Sequence, residues 1–217
     1  MGFDHENFSQ YCPKMRRKLI LWVMQTRLYG WALKRVIPFI RLTTYYTTLT
    51  GKQFHSAHDT IKMGDFIVCV DKRKLTSFLI PGTFSHAAFC IGVHPWHEHE
   101  IIEMTHDDCV KRHLFEAFKE SDRVVILRAR WKHHQILKAV KRAHEIFDSK
   151  IPYDAQFTLG IKALYCSELC LEVDVDRTLG FVLDDFVGLG RPYLSPDGVF
   201  NCPDLMVVWD SDNCSKK

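Results

Sequence analysis

The chain has 217 residues, which suits one domain with an appended segment and a sizeable buried core. Its apolar content of 47% and charged content of 25% are ordinary for a soluble globular protein, and we find no internal repeat or low-complexity tract. Eight cysteines without a Cys-x-x-Cys pair argue against a zinc ribbon and favour free thiols in a reducing, cytoplasmic setting. The net charge of +3 indicates no partner by itself, but residues 7–58 hold nine Lys or Arg and no Asp or Glu.

The basic charge is concentrated in residues 14–42, where it alternates with Leu, Ile, Val and Trp. This pattern predicts one or two basic amphipathic helices within a helical extension over residues 1–58. The longest uncharged run in the segment, residues 19–26, is far shorter than the roughly 20 residues that span a bilayer. Such helices could lie on an anionic membrane with Trp22 and Trp31 at the interface, making the protein membrane-associated. Alternatively, they pack on the domain, or on a second copy of the chain in a homodimer.

Residues 59–217 are predicted to form an α+β domain. Short apolar or alternating runs split by turns predict strands over residues 65–70, 86–93, 100–105, 109–113, 123–130 and 205–209. Helical periodicity predicts one helix over residues 132–150, ending before Pro152, and a second over residues 166–172. Strands first and helices afterwards indicate an α+β fold and not a doubly wound parallel sheet.

Cys166 is the candidate nucleophile because it stands at the start of the second predicted helix. A thiol at that position feels the positive end of the helix dipole, which lowers its pKa and favours the thiolate. Cys170 lies one turn further along and lacks this advantage. The alternative interpretation is a plain core cysteine, since thiols in apolar runs behave as small hydrophobic side chains.

His86 is the candidate base among twelve histidines. It begins a predicted strand in which a period of two places His86, Ala88 and Cys90 on one face. Because the residues after His86 on that face are small, we expect the nucleophile helix to pack there. The alternative is a histidine held in the core.

Glu103 is the candidate for orienting the imidazole. It lies between apolar residues on the next predicted strand, where an unpaired carboxylate would be costly to bury. Pairing with an imidazole removes that cost and selects the tautomer of the ring. Since the register of a hairpin cannot be read from the sequence, Thr105 on the same face is a weaker alternative.

Seven short motifs follow one another between residues 60 and 210. They are Gly-Asp-Phe-Ile-Val at 64–68, Phe-Ser-His-Ala-Ala-Phe at 84–89, Ile-Ile-Glu at 101–103, Val-Val-Ile-Leu-Arg at 124–128, Ile-Pro-Tyr-Asp at 151–154, Tyr-Cys-Ser-Glu-Leu at 165–169 and Leu-Ser-Pro-Asp at 194–197. The ordered set resembles the circularly permuted NlpC/p60-type cysteine hydrolases of the papain-like superfamily, most closely their YiiX-like branch. The resemblance implies a circularly permuted papain-like fold, with an antiparallel sheet packed against the nucleophile helix. It assigns the nucleophile to Cys166, the base to His86 and the third polar residue to Glu103.

The resemblance further implies thiolate attack on an amide or ester carbonyl through an acyl-enzyme intermediate, without a cofactor. We expect the backbone N–H of Cys166 to donate to the oxyanion. Tyr153 and Asp154 match a Tyr-Asp pair of the family and are candidates for substrate contact, although Asp154 could equally be a structural cap. Tyr165, directly before the nucleophile, is a further candidate contact.

The most probable substrate is an amide in a peptide or a peptidoglycan-like fragment. A lipid-directed thioesterase or acyltransferase is the enzymatic alternative, favoured if the N-terminal helix binds membrane. A binding protein that keeps the fold without turnover is the alternative from another class.

Other patterns carry less weight. His94, His97 and His99 could be read as a metal site, but the exposed turn of a hairpin is the preferred interpretation, and we predict no metal. No glycine-rich phosphate loop is present, and basic residues with aromatics in one helix are weak evidence for nucleic acid, so no nucleic-acid partner is predicted.

Overall fold

The structure is a computed structural model. It describes residues 26, 28, 31–32, 35–37, 40, 47, 49–74, 77, 80, 82–93, 98–106, 108–185 and 191–214. Most of the predicted helical segment 14–42 lies outside the described residues, as do His94 and His97. The predicted boundary between residues 58 and 59 falls within the first helix defined below, and the extent of the extension stays a prediction.

The described elements begin with a helix and four successive strands, after which helices and strands are interspersed. The helices are α1 (Gly51–Thr60), α2 (Leu114–Lys119), α3 (His133–Asp148), α4 (Cys166–Val173), α5 (Pro196–Phe200) and α6 (Ser211–Cys214). The strands are β1 (Phe66–Val70), β2 (His86–Val93), β3 (His99–Thr105), β4 (Asp108–His113), β5 (Arg123–Ala129), β6 (Asp184–Asp185), β7 (Pro192–Tyr193) and β8 (Leu205–Asp210). Every strand and both helices predicted above are found, and their ends lie within two residues of the predicted ones.

The main sheet has six strands in the order β4-β3-β2-β1-β5-β8, and every neighbouring pair is antiparallel. Strands β1 to β4 follow the chain as a meander, whereas β5 and β8 are added on the other side of β1. The predicted antiparallel sheet is therefore confirmed. The sheet brings residues of β2 and β3 next to each other and places β4 at an edge.

The sheet carries a hydrophobic cluster on each face. One cluster joins Ala87 and Phe89 of β2 to Leu169 and Cys170 of helix α4. The other joins the small residues Ala88 and Cys90 to α1 and α2. The expectation that the face of Ala88 and Cys90 receives the nucleophile helix is therefore wrong. The helix packs on the opposite face of the strand, where Phe89 supplies apolar area for it to cover.

A buried ion pair explains two residues of the first and fourth motifs. Asp65 is 1% exposed, and both of its carboxylate oxygens accept from the Arg128 guanidinium at 2.7 Å. Arg128 also donates to the carbonyl of Thr60 at 2.8 Å, and Asp65 accepts from the N–H of Lys62. This bidentate pair joins the start of β1 to β5 and to the end of α1, so these motif residues serve the fold.

A loop leads from the end of α3 to the start of α4. At its two ends Tyr153 and Leu164 form an isolated parallel bridge, with Asp154 N–H donating to the Leu164 carbonyl at 2.9 Å. The loop therefore leaves and re-enters the domain at one place, directly before the nucleophile helix.

Candidate active site

Cys166 is the first residue of α4 and only 2% of it is exposed. Its two chain neighbours are tied to the peptide groups of one residue, Leu194. The Ser167 hydroxyl donates to the Leu194 carbonyl at 2.6 Å, and the Tyr165 hydroxyl accepts from the Leu194 N–H at 2.9 Å. The backbone at the nucleophile is thus fixed on both sides.

His86 and Glu103 meet across neighbouring strands. His86 Nε2 lies 2.6 Å from Glu103 Oε2, and the imidazole is near enough to the Cys166 thiol for each group to shift the pKa of the other. Because Nε2 is occupied by Glu103, Nδ1 is the ring nitrogen left for the thiol. The three residues proposed from the sequence therefore form one connected chain of side chains.

Side-chain length, and not register alone, explains why Glu103 and not Thr105 bonds the imidazole. Glu103 pairs with Ala88 on β2, two residues from His86 on the same face. A glutamate is long enough to reach such a diagonal neighbour. Thr105 lies at the end of β3, and its hydroxyl donates to the carbonyl of Asp108 at 3.4 Å.

The segment that leads into His86 is held by an acidic side chain of helix α5. The Asp197 carboxylate of α5 accepts from the N–H groups of Thr83 and Phe84 at 2.8 and 2.7 Å. Gly82 precedes them with φ +124°, and a Cβ there would lie 2.5 Å from an Asp197 oxygen. Asp197, part of the last motif, thus fixes the approach to the base.

The charged forms of the triad stabilise one another. Burial disfavours a charged imidazole, but the Glu103 carboxylate and the hydrogen bonds to Cys166 and Glu103 outweigh it, so the pKa of His86 is raised well above its ordinary value. Burial likewise raises the pKa of Glu103, yet His86 and Arg112 more than compensate and the net pKa is lowered. Glu103 is therefore ionised at neutral pH and His86 is favoured as imidazolium.

Cys166 is the only described cysteine whose pKa is lowered. Burial raises the pKa of its thiol, but the hydrogen bond and charge of His86 and the N–H groups of Ala87 and Ser167 outweigh burial. Burial raises the pKa of Cys170, one turn further along, well above its ordinary value, and the charge of Cys166 adds to this. The site therefore favours a thiolate at Cys166 beside an imidazolium.

The three candidate substrate residues have different surroundings. Tyr165 is fully buried, so the prediction that it contacts substrate is not supported by its position, and it is instead a packing and anchoring residue. The Asp154 carboxylate accepts from the N–H groups of Gln156 and Thr158 at 2.7 and 2.6 Å, which is the structural cap considered above. Tyr153 is half-buried, and its N–H donates to Asp108 at 2.9 Å.

The histidine-rich turn offers little evidence for a metal. His99 is buried with its ring edge-on to His58, the centroids 4.8 Å apart. Within the described residues, no group of three or more His, Cys, Asp or Glu side chains could hold a metal ion.

Comparison with known proteins gives a consistent assignment. The profile of the family described as permuted papain-like amidase enzyme, YaeF/YiiX, C92 family, matches residues 60–192, more than half of the chain. The chain belongs to this family. No curated protein matches the sequence.

A solved structure shares the fold of this C92 protein. It is the crystal structure of metalloprotein YiiX from Escherichia coli O157:H7, with 19% identity and a TM-score of 0.56 over 69% of this chain and 97% of that one. The predicted α+β, circularly permuted papain-like fold is thereby confirmed, and the family makes the chain a thiol-dependent hydrolase. That structure is described as a metalloprotein, but the described donors of this chain do not form a metal set, so no step below passes through a metal.

Sequence reasoning missed two charged residues of this C92 site. Arg112 of β4 lies 3.2 Å from Glu103 Oε1 through its Nε. Glu168 of α4 is 2% exposed, and its Oε1 accepts from the Gly160 N–H at 2.6 Å; burial raises its pKa to about 7. The i+2 spacing of Glu168 from Cys166 carried no recognisable signal, whereas Arg112 could have been found by pairing the two predicted strands.

Proposed function

We propose that this chain hydrolyses an amide bond in a peptide or a peptidoglycan-like fragment, with Cys166 as nucleophile, His86 as base and acid, and Glu103 as the orienting group. The observation that carries the proposal is the 2.6 Å contact between Glu103 and His86, together with an imidazole that lowers the pKa of the Cys166 thiol. This arrangement pairs a thiolate with an imidazolium, the resting state that amide cleavage by cysteine needs.

The acylation step follows from these positions. Cys166 Sγ attacks the carbonyl carbon, the C=O π bond breaks, and negative charge moves to the oxygen. The N–H of Cys166 is one of the first N–H groups of α4, which have no acceptor within the helix, and it is placed to donate to that oxygen. His86 then gives its Nδ1 proton to the amide nitrogen as the C–N bond breaks, which releases the amine and leaves a thioester.

The deacylation step reverses the proton transfer. His86, now neutral, takes a proton from water, and the resulting hydroxide adds to the thioester carbonyl. Collapse of that intermediate breaks the C–S bond and releases the acid, and Cys166 returns as thiolate beside the imidazolium. Glu103 keeps its charge throughout and holds Nε2 protonated, so that Nδ1 is the nitrogen that exchanges the proton.

The proposal is tested by covalent capture with a panel of short acyl-peptide amides and muropeptides. We expect release of amine from at least one of them and a transient acyl mass on the peptide that contains Cys166. Cys166→Ala should abolish both signals, whereas Cys202→Ala, a buried thiol on the helical side of the domain, should retain them. Turnover that survives Cys166→Ala would contradict the proposal.

A second candidate is a lipid-directed thioesterase or acyltransferase. It is supported by exposed apolar side chains among the described residues of the basic segment 14–42, with Leu28 72% and Trp31 58% exposed. Within the described part of the chain no helix is long and apolar enough to cross a bilayer. On this proposal the segment binds the surface of an anionic membrane and brings the thiol close to acyl chains.

Vesicle sedimentation separates the two candidates. We expect the intact protein to sediment with anionic vesicles at low salt and to be released at high salt, because each Lys or Arg near the surface contributes about 1 kcal/mol that salt screens. Neutral vesicles provide the control, and Trp31→Ser should weaken binding at fixed salt. If the intact protein ignores anionic vesicles even at low salt, the lipid-directed candidate is rejected and a soluble peptide substrate is favoured.

A further inference from the structure

The Glu103 carboxylate is shared between two partners. Its Oε2 lies 2.6 Å from His86 Nε2, while its Oε1 lies 3.2 Å from Arg112 Nε. The Glu103 side chain is only 5% exposed, so neither oxygen can rely on bulk water for its hydrogen bonds. Each oxygen of the buried carboxylate is therefore satisfied by a different cationic group.

The pairing continues outward from Arg112. Its second guanidinium nitrogen lies 3.8 Å from Glu120 Oε2, and Lys74 Nζ lies 2.9 Å from the same oxygen. Exposure rises along this series from 5% at Glu103 to 28% at Arg112 and 35% at Glu120. Charges thus alternate in sign from the protein surface to His86 and Cys166.

Arg112 and Glu103 lie on neighbouring strands, which gives the contact a defined geometry. Glu103 pairs with Val110 on β4, and Arg112 pairs with Ile101, so both side chains stand on the same face. A guanidinium has its N–H donors in a rigid plane, and it holds a carboxylate in orientation better than a flexible ammonium does.

We propose that Arg112, paired with Glu120, is a positioning residue that keeps the Glu103 carboxylate ionised and directed at His86. This inference rests on the proposed roles of Glu103, His86 and Cys166, and it deepens them by naming what supports the orienting acid. Arg112 touches neither the thiol nor the substrate carbonyl and acts through Glu103.

The direction of the effect on pH dependence follows from the charges. Burial favours protonation of Glu103, and Arg112 is among the cations that oppose it. Without Arg112, the pKa of Glu103 rises, so the carboxylate is protonated while the solution is still only mildly acidic. His86 then loses its anionic partner, and Cys166 loses the neighbouring imidazolium. The acid limb of Cys166 reactivity should therefore move to higher pH.

The other titratable groups facing this site behave differently. The Cys69 and Cys109 thiols also face Glu103, but burial raises the pKa of both, so they stay neutral across the acid limb. Lys74 contributes a further positive charge that acts on Glu103. Iodoacetamide reacts with the thiolate whether or not His86 is protonated, so the acid limb is the part of the alkylation profile that depends on His86 and Glu103. A shift confined to the acid limb is thus specific to loss of Arg112.

The test is the pH dependence of Cys166 alkylation by iodoacetamide in the full-length protein, which needs no substrate. We expect Arg112→Gln to alkylate about threefold to fivefold more slowly than wild type at mildly acidic pH and at nearly the same rate above neutrality. Arg112→Lys, which keeps the charge, should recover most of the loss. If Arg112→Gln does not fold, Arg112→Met keeps much of the aliphatic stem and gives the same comparison.

Arg142→Gln is the matched control. Arg142 is 31% exposed and, like Arg112, bridges two carboxylates, lying 3.1 Å from Glu172 and 3.5 Å from Glu145, but on helix α3. It should leave the acid limb unchanged. An acid limb in Arg112→Gln that coincides with wild type, or one that Arg142→Gln shifts equally, overturns the inference.

The pH profile of Cys166 alkylation in wild type distinguishes failure of this inference from failure of the proposed function. If wild-type Cys166 shows no reactivity at mildly acidic pH and the protein releases no amine from any amide, the proposed triad itself fails. If wild type shows both and only the Arg112 shift is missing, the triad stands and this inference alone is lost.

Discussion

Iodoacetamide is expected to alkylate Cys166 faster than any other of the eight cysteines near neutral pH. A thiol of ordinary pKa is only a few per cent thiolate there, and burial raises the pKa of Cys90 and Cys109 to about 12, whereas the imidazolium of His86 keeps Cys166 ionised. After allowing for the weaker nucleophilicity of a low-pKa thiolate, the rate ratio to these buried thiols should still be on the order of a thousand. Adducts are quantified by peptide mass spectrometry over time.

The pH dependence of the same reaction identifies the cause. Cys166 alkylation should persist below neutrality, because its lowered pKa keeps the thiolate down to that pKa, and should fall only as the thiolate is protonated. A thiol with a raised pKa reacts faster with every step into the alkaline range. His86→Ala should give Cys166 this second behaviour. If Cys170 or a cysteine outside the site reacts first in wild type, the assignment of the nucleophile is wrong.

Glu103→Gln is expected to lower the rate of acylation about tenfold or more while the fold is retained. The carboxylate raises the pKa of His86, so its loss lowers that pKa and moves the alkaline limb of the rate profile to lower pH. A less charged imidazole also stabilises the thiolate less, which raises the pKa of Cys166 and moves the acid limb to higher pH. The bell-shaped profile should therefore narrow from both sides, as measured by kcat/KM against pH.

Glu172→Gln provides the control for this variant. Glu172 is 12% exposed and, like Glu103, is held by two cationic side chains, Arg142 at 3.1 Å and Arg177 at 2.9 Å. Among the described residues, no hydrogen bond or ion pair joins Glu172 to His86 or Cys166. The pH profile of the Glu172→Gln variant should therefore follow that of wild type. Full activity in Glu103→Gln would move the orienting role to Thr105 or to another group.

The elements that carry the site could be predicted from local patterns. Strand β2 has the predicted span from His86 to Val93, and helix α4 begins at the predicted Cys166. Both follow from short-range signals, the alternation of a strand and the apolar run after a turn. The order of the motifs indicated that His86 and Cys166 act together, which no single motif shows.

Register and face could not be predicted, because both depend on how strands pair across the sheet. Glu103 and not Thr105 bonds the imidazole because the glutamate is long enough to reach His86 diagonally from its position opposite Ala88. The sequence-based expectation places α4 on the face of small residues, whereas the helix covers the face that carries Phe89. Both faces carry buried apolar residues, so the alternation of the strand does not by itself say which of them a given helix covers.

By itself, the sequence determined which residues begin the strand and the helix of the site, the identities of the thiol, imidazole and carboxylate, and the family to which their order belongs. These depend on local periodicity and on residue type, which are properties of short stretches of the sequence. Only the tertiary structure decided that Glu103 reaches His86, that Arg112 holds the second oxygen of Glu103, and that Tyr165 is enclosed. Those contacts join residues on different strands and helices, and they exist only once the sheet has set which side chains face each other.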